Sequence, residues 1–276
     1  MYKSCPHQWY LSYAKELKPV QKSVHLIFGT AFHETLQNYL KVMYESSAKE
    51  ADRIHLPTYF KTRLIELYKT NAEDGHFSTP EELNEFYEDA VAILEFFSSK
   101  RNLFFSKKNT ELVGIEIPIM SQVTEEVEGV NLKGFIDLVL YNKVVDKYTI
   151  YDIKTSTKGW SDYEKKDQTK VNQVLLYKKM FSKLRNIPEE KIDVQFFIVR
   201  RKINENLEFP PGRIQEFIPA NGTRKLNEAL EDLQGFVKDV FTPEGEYQHK
   251  QYPKNPTKCR FCPYNDKPEL CDKKVA

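Results

Sequence analysis

Apolar residues recur at helical spacing along most of the first hundred residues of the chain. The pattern predicts one helix over residues 27–44 and a second over residues 59–68. A third helix should begin after Thr79, because its hydroxyl can cap the helix, Pro80 fits the first turn and Glu82 stands three residues after the cap. The first part of the chain is therefore expected to be mainly helical.

After residue 110 the pattern changes to short runs rich in Val, Ile, Leu and Tyr, which predict strands. The predicted strands cover residues 111–120, 132–141, 148–155, 194–201 and 214–218. Helical spacing returns over residues 169–181 and 221–241. This order predicts an α/β fold, in which a sheet is flanked by helices.

We expect a single domain over residues 1–276. Within it we distinguish a mainly helical region (1–110), an α/β core (111–220), and a C-terminal helix with an irregular, cysteine-rich tail (221–276).

Composition narrows the class of protein. Hydrophobic residues make up 40% of the chain and aromatic residues 13%, which is enough for a buried core and argues against disorder. The net charge of +1 lacks the strongly basic balance of a passive nucleic-acid binder. No apolar run is long enough to span a membrane and residues 1–6 show no secretion signal, so a cytoplasmic location is expected.

An acidic residue interrupts each of two neighbouring apolar strands. Asp137 lies in the earlier strand, and Asp152 and Lys154 share one face of the next, because strand side chains alternate. The short connection between the strands favours a hairpin in which Asp137 stands opposite Asp152. We therefore expect the two acids and the lysine to meet on one face of the sheet.

Two carboxylates at cross-strand distance repel each other unless a cation lies between them. Hard oxygen ligands suit Mg²⁺ or Mn²⁺, and such ions can activate water and stabilise a phosphate under attack. Lys154 could orient the water or offset the charge of the phosphate. The alternative is a surface salt bridge between Asp152 and Lys154 on an exposed sheet face, against which the pairing with Asp137 argues.

Further residues are candidates for the same site. His33 in the first helix could be a third ligand through its neutral imidazole, with a partly buried structural histidine as the alternative. Glu116 on the first strand could face the site, and Gly29 allows close packing of the backbone. Gln173 and Tyr177 lie one turn apart on one helix face and could reach phosphate or metal-bound water, or could simply pack the helix.

Two hypotheses concern contacts with nucleic acid. The loop after the Lys154 strand carries Trp160 beside several lysines, and Trp160 could be a stacking platform for a single strand or an anchor packed in the core. Arg200 and Arg201 end a predicted strand and are candidate phosphate contacts, although alternation allows only one of them to face the site.

The chain has four cysteines: Cys5, Cys259, Cys262 and Cys271. In a reducing compartment they are not expected to form disulfides, and four thiolates suit either a tetrahedral zinc ion or an iron–sulfur cluster. The spacing of the last three favours zinc when taken alone. Four unrelated buried thiols are the alternative, against which the loop-like tail argues.

Taken in order, these segments resemble the PD-(D/E)XK nuclease superfamily, and within it the RecB-like exonucleases, over nearly the whole chain. No single motif is specific, whereas the ordered set is. The set comprises Cys5-Pro6, Gly29-Thr30-Ala31-Phe32-His33, Gly134-Phe135-Ile136-Asp137, Asp152-Ile153-Lys154-Thr155, Gln173-Val174-Leu175-Leu176-Tyr177 and the C-terminal cysteines.

The resemblance implies a restriction-endonuclease-like core with a central mixed sheet. It also implies a metal and catalytic site, whose residues are His33, Asp137, Asp152 and Lys154, with Glu116 and the backbone carbonyl of Ile153 as further candidate ligands, and with Gln173 and Tyr177 from the following helix. One departure is Ile136, which stands where many members have a proline before the first acid; the family varies at this position.

For the cysteines, the resemblance implies a [4Fe–4S] cluster of the kind found in CRISPR-associated and helicase-linked members. Such a cluster would tie Cys5 near the N-terminus to the C-terminal trio. With the resemblance included, we favour the cluster over a structural Zn²⁺ ion.

The resemblance implies a DNA nuclease dependent on Mg²⁺ or Mn²⁺, with an exonuclease expected, that acts on single-stranded DNA or duplex ends in recombination, repair or replication. A helicase, recombinase or CRISPR integrase would be a partner in trans, since the chain has no phosphate-binding loop for ATP-driven unwinding. The alternatives are a nuclease-fold module that binds DNA or a partner without cutting, and a nuclease directed at RNA. The intact set of metal and catalytic residues argues against the binding module.

Overall fold

Residues 1–19, 22–72 and 75–272 are described in the computed structural model of the protein, and they contain a mixed five-stranded sheet flanked by helices. The helices are α1 (Pro6–Trp9), α2 (Val24–Glu45), α3 (Ala48–Ala51), α4 (Leu56–Asn71), α5 (Pro80–Phe104), α6 (Asp162–Lys165), α7 (Gln168–Arg185) and α8 (Thr223–Val240). The strands are β1 (Thr110–Gln122), β2 (Asn131–Asn142), β3 (Lys147–Ser156), β4 (Ile192–Arg200) and β5 (Ile214–Phe217). The predicted α/β fold is confirmed.

The long N-terminal helices form where apolar spacing predicts them, and their caps set where they begin. Helix α2 starts earlier than predicted because the Ser23 hydroxyl accepts a hydrogen bond from the N–H of His25 at 3.2 Å. Helix α5 starts where predicted, since Thr79 Oγ1 accepts a hydrogen bond from the N–H of Glu82 at 3.1 Å. No helix within the described residues combines the length and apolar character needed to cross a membrane.

The strands follow the order β1-β2-β3-β4-β5 across the sheet. Strands β2 and β3 are antiparallel, and Leu138 stands opposite Tyr151, which is the register predicted from the two acids. Strand β4 runs parallel to β3, with Asp152 aligned to Phe196, and β5 is antiparallel to β4. A parallel pair needs a long crossover connection, and α6 and α7 lie in the segment that provides it.

Strand β4 shows that both faces of the sheet are buried. Phe197 and Val199 belong to a core cluster that also contains residues of α2 and α5. Phe196 and Ile198 belong to a second cluster that contains residues of α7. Because successive side chains point to opposite faces, a strand covered on both sides must be apolar along its length. This requirement explains the unbroken apolar run at the end of β4.

Short elements were missed by the sequence pattern. Helices α1, α3 and α6 have four residues each, and a π-helical turn covers Tyr10–Ala14. Elements of this length are shorter than the window over which helical periodicity can be recognised. Turns of 3₁₀-helix occur at Glu189–Lys191 and, within the tail that was expected to be irregular, at Pro256–Phe261.

The chain divides into two compact units. One unit consists of Met1–Gln21, Gln122–Asn131 and Glu231–Ala276, and the other consists of Lys22–Ser121 and Leu132–Leu230. The second unit therefore contains the acids and the lysine of β2 and β3. The three regions expected from the sequence stay a prediction.

The first unit has an aromatic core of its own. Trp9, Val240 and Tyr252 are buried together, and Tyr2 and Phe236 pack against them. The Tyr2 ring meets the Phe236 ring edge-on, with the ring centroids 4.9 Å apart. Segments from the two ends of the described chain thus share one hydrophobic cluster.

The role of Thr79 as the cap of α5 can be tested by substitution. Replacing Thr79 with Ala should lower the free energy of unfolding by about 1 kcal/mol, because the N–H of Glu82 loses its acceptor. Thr79→Ser keeps the hydroxyl and should retain most of that stability. Urea unfolding of the three proteins measures the difference, and equal stability of the Ala and Ser variants would contradict the assigned cap.

Candidate active site

The hairpin of β2 and β3 positions the two strand acids. The paired ladder ends at Leu138 and Tyr151, one residue before Asp137 and Asp152. There the Oδ2 atom of Asp137 accepts a hydrogen bond from the backbone N–H of Ile153 at 2.7 Å. The Asp137 carboxylate is thus bonded to β3 just beyond the last backbone pair. This bond holds it against the strand that carries Asp152.

The Asp152 carboxylate is almost completely removed from solvent, with 2% of the residue exposed. Lys154 Nζ donates a hydrogen bond to Oδ1 at 3.1 Å. The same ammonium lies 2.8 Å from Oδ2, but without hydrogen-bond geometry, so within the described part of the chain Oδ2 has no donor. A buried anionic oxygen left in this state is unfavourable and suits a cation as its partner.

Burial raises the pKa values of both acids well above the ordinary aspartate value, that of Asp152 to about 6. The Lys154 ammonium acts in the opposite direction on each acid, and the negative charge of Asp137 raises the pKa of Asp152 further. Without a further cation, the site therefore resists holding both carboxylates in the ionised form.

Helix α2 brings His33 to the acids. The Nδ1 atom of His33 lies 3.8 Å from Asp137 Oδ2, and a quarter of the His33 side chain is exposed. Burial lowers the pKa of His33 and the nearby Lys154 ammonium lowers it further, while the charge of Asp152 and a hydrogen bond to the backbone of Ile153 act to raise it. The neutral imidazole, which is the form that binds a metal, is thereby favoured.

Glu116 reaches the same region from β1. Its backbone has a φ of 49°, in the left-handed region that a residue with a side chain rarely adopts. Gln37 of α2 donates a hydrogen bond to Glu116 Oε1 at 2.6 Å and another to the carbonyl of Asp137 at 3.2 Å. Gln37 is not among the site residues predicted from the sequence, although its position one helical turn after His33 places it on the same face of α2.

Helix α7 adds a chain of hydrogen bonds to the lysine. Lys154 Nζ donates to Gln173 Oε1 at 3.1 Å, and Gln173 Nε2 donates to the Tyr177 hydroxyl at 3.0 Å. Gly134 of β2 leaves room for the phenol ring, since a Cβ there would lie 2.9 Å from Tyr177 Cε1. The structure therefore brings Gln173 and Tyr177 together with Lys154.

Gly29 allows the close approach of α2 and β3. A Cβ at Gly29 would lie 3.2 Å from the hydroxyl oxygen of Thr155, a spacing tighter than ordinary contact. A side chain there would push the start of α2 away from the strand that carries Asp152 and Lys154.

The donor set fits a hard divalent cation. Two carboxylates, one of which has the unsatisfied oxygen Asp152 Oδ2, and a neutral imidazole are ligands of the kind that Mg²⁺ or Mn²⁺ accepts. Within the described residues, no group of three His, Cys, Asp or Glu side chains is already close enough together to hold an ion. The residues that could hold one are His33, Glu116, Asp137, Asp152 and the carbonyl of Ile153.

The structure places Trp160 in the core, which is the alternative to the stacking hypothesis. Only 8% of the residue is exposed, and its ring packs on Phe196 with centroids 4.7 Å apart. Gln215 fixes the same loop by accepting from the Trp160 N–H at 2.8 Å and donating to its carbonyl at 3.0 Å. Lys170 Nζ lies 4.8 Å from the ring centre. Trp160 is thus a core anchor of the loop, which was the alternative interpretation.

Arg200 and Arg201 also make contacts within the protein. Arg200 donates to the carbonyl of Gly212 at 2.8 Å, and burial lowers its pKa. Arg201 bonds Asp89 at 2.6 Å and lies over the Phe86 ring at 3.9 Å, with 11% of its side chain exposed. Arg201 is thus held by an ion pair and by an aromatic ring, and Arg200 by a backbone carbonyl, while their role as phosphate contacts stays a prediction.

The four cysteines lie in the first unit and line one cavity. Burial raises the pKa of the Cys262 thiol, and the other three thiols, Cys5, Cys259 and Cys271, add to that shift. The lining includes thiols from both ends of the chain and the buried ring of Tyr264, whose hydroxyl lies 3.1 Å from Ser12 Oγ. An all-sulfur donor set of this kind suits zinc or an iron–sulfur cluster.

Comparison with known proteins gives one family match. A family model for the PD-(D/E)XK nuclease superfamily matches residues 1–267. No curated protein matches significantly. Among solved structures, a protein from Eubacterium rectale proposed to be an exonuclease is 12% identical, covering 84% of this chain and 71% of its own, with a TM-score of 0.39. The protein SSO0001 is 15% identical, covering 98% of this chain and 97% of its own, with a TM-score of 0.35.

The raised pKa of Asp152 predicts how stability depends on pH. Because the folded-state pKa lies above the unfolded one, the ionised acid destabilises the metal-free fold above about pH 6, and this cost disappears as the pH falls towards 4. In a chelator, Asp152→Asn should therefore raise the free energy of unfolding at about pH 8 by about 1–2 kcal/mol, and by less at about pH 5.

Asp193→Asn is the matched control, because the Asp193 side chain is 41% exposed and pairs with Lys147 on the surface. It should bring no such gain at either pH. Denaturant unfolding at the two pH values decides, and a gain from Asp152→Asn that is equal at both values would show that burial of the charge is not its cause.

Proposed function

The chain belongs to the PD-(D/E)XK nuclease superfamily, and from this membership we propose that it is a divalent-metal-dependent deoxyribonuclease that hydrolyses phosphodiester bonds. The observation that carries the proposal is the buried Asp152 oxygen without a donor, beside a second buried acid and a lysine. A binding protein has no need for two acids whose charges oppose each other in this way. A metal-dependent hydrolase does need them.

Asp137, Asp152 and His33 would hold Mg²⁺ or Mn²⁺, with Glu116 and the carbonyl of Ile153 as further ligands. When bound, the ion supplies positive charge that favours ionisation of water and stabilises the phosphate under attack. The protein's own contribution is to exclude bulk solvent from Asp152 and to hold the acids in one place before DNA arrives.

Lys154 is the residue proposed to act on the attacking water. Its ammonium is fixed from two sides, by Asp152 and by Gln173, so its position is set before the substrate binds. From there it can orient the water and offset negative charge on the phosphate. Tyr177, which is bonded to Gln173, is proposed to position a phosphate oxygen through its hydroxyl.

Within this class, we propose exonuclease action on single-stranded DNA or duplex ends, in recombination, repair or replication. A helicase, recombinase or CRISPR integrase would supply such ends in trans. A nuclease-fold module that binds DNA and cuts only with a partner is the second candidate. The complete set of His33, Asp137, Asp152 and Lys154 favours the enzyme, since a module that only binds DNA does not require all four.

We also propose that the four cysteines hold a [4Fe–4S] cluster with a structural role. All four thiols line one cavity in the unit that contains both ends of the chain, so a cluster there would join segments far apart in sequence. Closing so long a loop restricts the unfolded chain and stabilises the fold. A single zinc ion is the competing occupant.

The nuclease proposal predicts a metal-dependent cut that requires Lys154. Incubated with end-labelled DNA and Mn²⁺, the protein should release labelled product, and Lys154→Met should lower the rate by at least about a hundredfold. Lys147→Met is the control, because Lys147 lies on the same strand in a half-exposed pair with Asp193, and it should leave the rate unchanged.

Assays with different nucleic-acid substrates distinguish the alternative functions. Cutting of linear but not circular DNA supports exonuclease action, and preferential cutting of a matched RNA would replace DNA as the substrate. Tight DNA binding by folded protein that cuts neither substrate in Mn²⁺ would instead favour the binding module.

The cluster proposal predicts a brown protein whose iron depends on Cys262. Cys262→Ser should remove the visible absorbance and most of the iron, and should lower the melting temperature, because the tie between the chain ends is lost. Ser12→Ala is the control, since Ser12 is buried in the same unit without lining the cavity, and it should retain both colour and iron. Elemental analysis gives the result, and stoichiometric zinc in a colourless wild type would reject the cluster.

A further inference from the structure

Gln37 is a buried polar residue of α2, with only 6% of its surface exposed. Its side-chain nitrogen donates to the Glu116 carboxylate at 2.6 Å and to the backbone carbonyl of Asp137 at 3.2 Å. One amide group therefore connects α2 to β1 and to β2 at the level of the candidate metal ligands.

The backbone of β1 departs from regular strand geometry where this connection is made. Glu116 has a φ of 49°, a conformation that the steric clash of a Cβ disfavours. Close by, a Cβ at Gly114 would lie 2.8 Å from the side chain of Ile117, as expected where the regular pleat is lost. A left-handed residue within a strand can turn a side chain away from the direction that strict alternation would give, and it persists only where the surroundings hold it.

The Glu116 carboxylate lies near the candidate metal site, because one amide nitrogen bonds both its Oε1 atom and the carbonyl of Asp137. Burial is the largest cause of the raised pKa of Asp137, and the negative charge of Glu116 adds to it. The same charge also acts on His33. The carboxylate is thus close enough to affect two of the candidate ligands, although it belongs to a different strand.

A neutral amide is better suited than a charged side chain to hold the Glu116 carboxylate beside a metal site. A Lys or Arg in the place of Gln37 would neutralise Glu116 and compete with a metal cation, whereas the neutral amide leaves the negative charge intact. It occupies one carboxylate oxygen, Oε1, and leaves Oε2 available.

We infer that Gln37 is a positioning residue of the metal site, which holds the Glu116 carboxylate and the backbone at Asp137 in the arrangement that receives the cation. The inference rests on the proposed function. It adds a residue that touches neither metal nor DNA and acts through the ligands.

The test measures binding of Mn²⁺ itself, in the absence of DNA, from the electron paramagnetic resonance signal of the free ion. Gln37→Met should weaken Mn²⁺ binding about tenfold, the usual effect of losing a hydrogen-bond partner of a ligand. Thr35→Val is the matched control, because Thr35 is also buried in α2 but its hydroxyl bonds only within the helix, to the carbonyl of Ala31 at 2.6 Å. The control should bind Mn²⁺ as the wild type does.

The same substitution in a Glu116→Ala protein shows whether the effect of Gln37 on Mn²⁺ binding depends on Glu116. In Glu116→Ala protein, the Gln37→Met substitution should cause a smaller loss, since one of the two partners of the amide is already gone. An equal loss in both backgrounds would overturn the assigned route. If Gln37→Met fails to fold, Gln37→Asn replaces it, because the shorter amide cannot reach Glu116.

Unchanged Mn²⁺ affinity in folded Gln37→Met overturns the inference while the nuclease proposal stands. A wild type that binds Mn²⁺ but cuts no nucleic acid defeats the proposed function, whereas a tenfold loss in the variant would still support the inference. A wild type that binds no Mn²⁺ overturns both.

Discussion

The burial of two like charges on adjacent strands is the constraint on which the rest of the site depends. Asp137 and Asp152 are held next to each other where solvent cannot separate their charges, and the ordinary pKa of each is displaced as a result. One ammonium is present, and it does not satisfy every oxygen. The fold around the acids can be understood as a set of restraints that keeps this unfavourable pair together until a cation arrives.

Those restraints come from every neighbouring element. Strand β3 offers the N–H of Ile153 to Asp137, α7 holds Lys154 through Gln173, and α2 supplies His33. Each contact fixes one group from outside the hairpin, so no single element could build the site alone. The stability of the helices and the sheet is in this way coupled to the geometry of the acids.

Sequence reasoning succeeded where periodicity or alternation carries the information. The register of the β2–β3 hairpin followed from two acids that had to face each other, and the start of α5 followed from Thr79. It could not identify contacts between residues that are distant in sequence. Trp160 and Arg201 have the residue types of nucleic-acid contacts, and only the structure shows that Trp160 packs on Phe196 and that Arg201 pairs with Asp89.

Gln37 was missed for the same reason. An isolated glutamine in a helix carries no pattern, and its proposed role depends on a left-handed backbone conformation at Glu116 that no propensity rule predicts. The four cysteines are an intermediate case. The family resemblance implied that Cys5 joins the C-terminal trio, and the structure shows that all four thiols line one cavity.

Because the first unit is built from separate segments of the chain, it constrains the order in which the protein can fold during synthesis. Lys3 and its partner Asp232 are separated by 229 positions, so the opening segment leaves the exit tunnel long before its partners have been translated. Most of the larger unit can fold during this interval. Trp9 can be buried only after Val240 and Tyr252 have been synthesised. For much of synthesis the aromatic side chains of this segment would therefore lack the partners that bury them, so the core of the first unit could form only after most of the larger unit has been made.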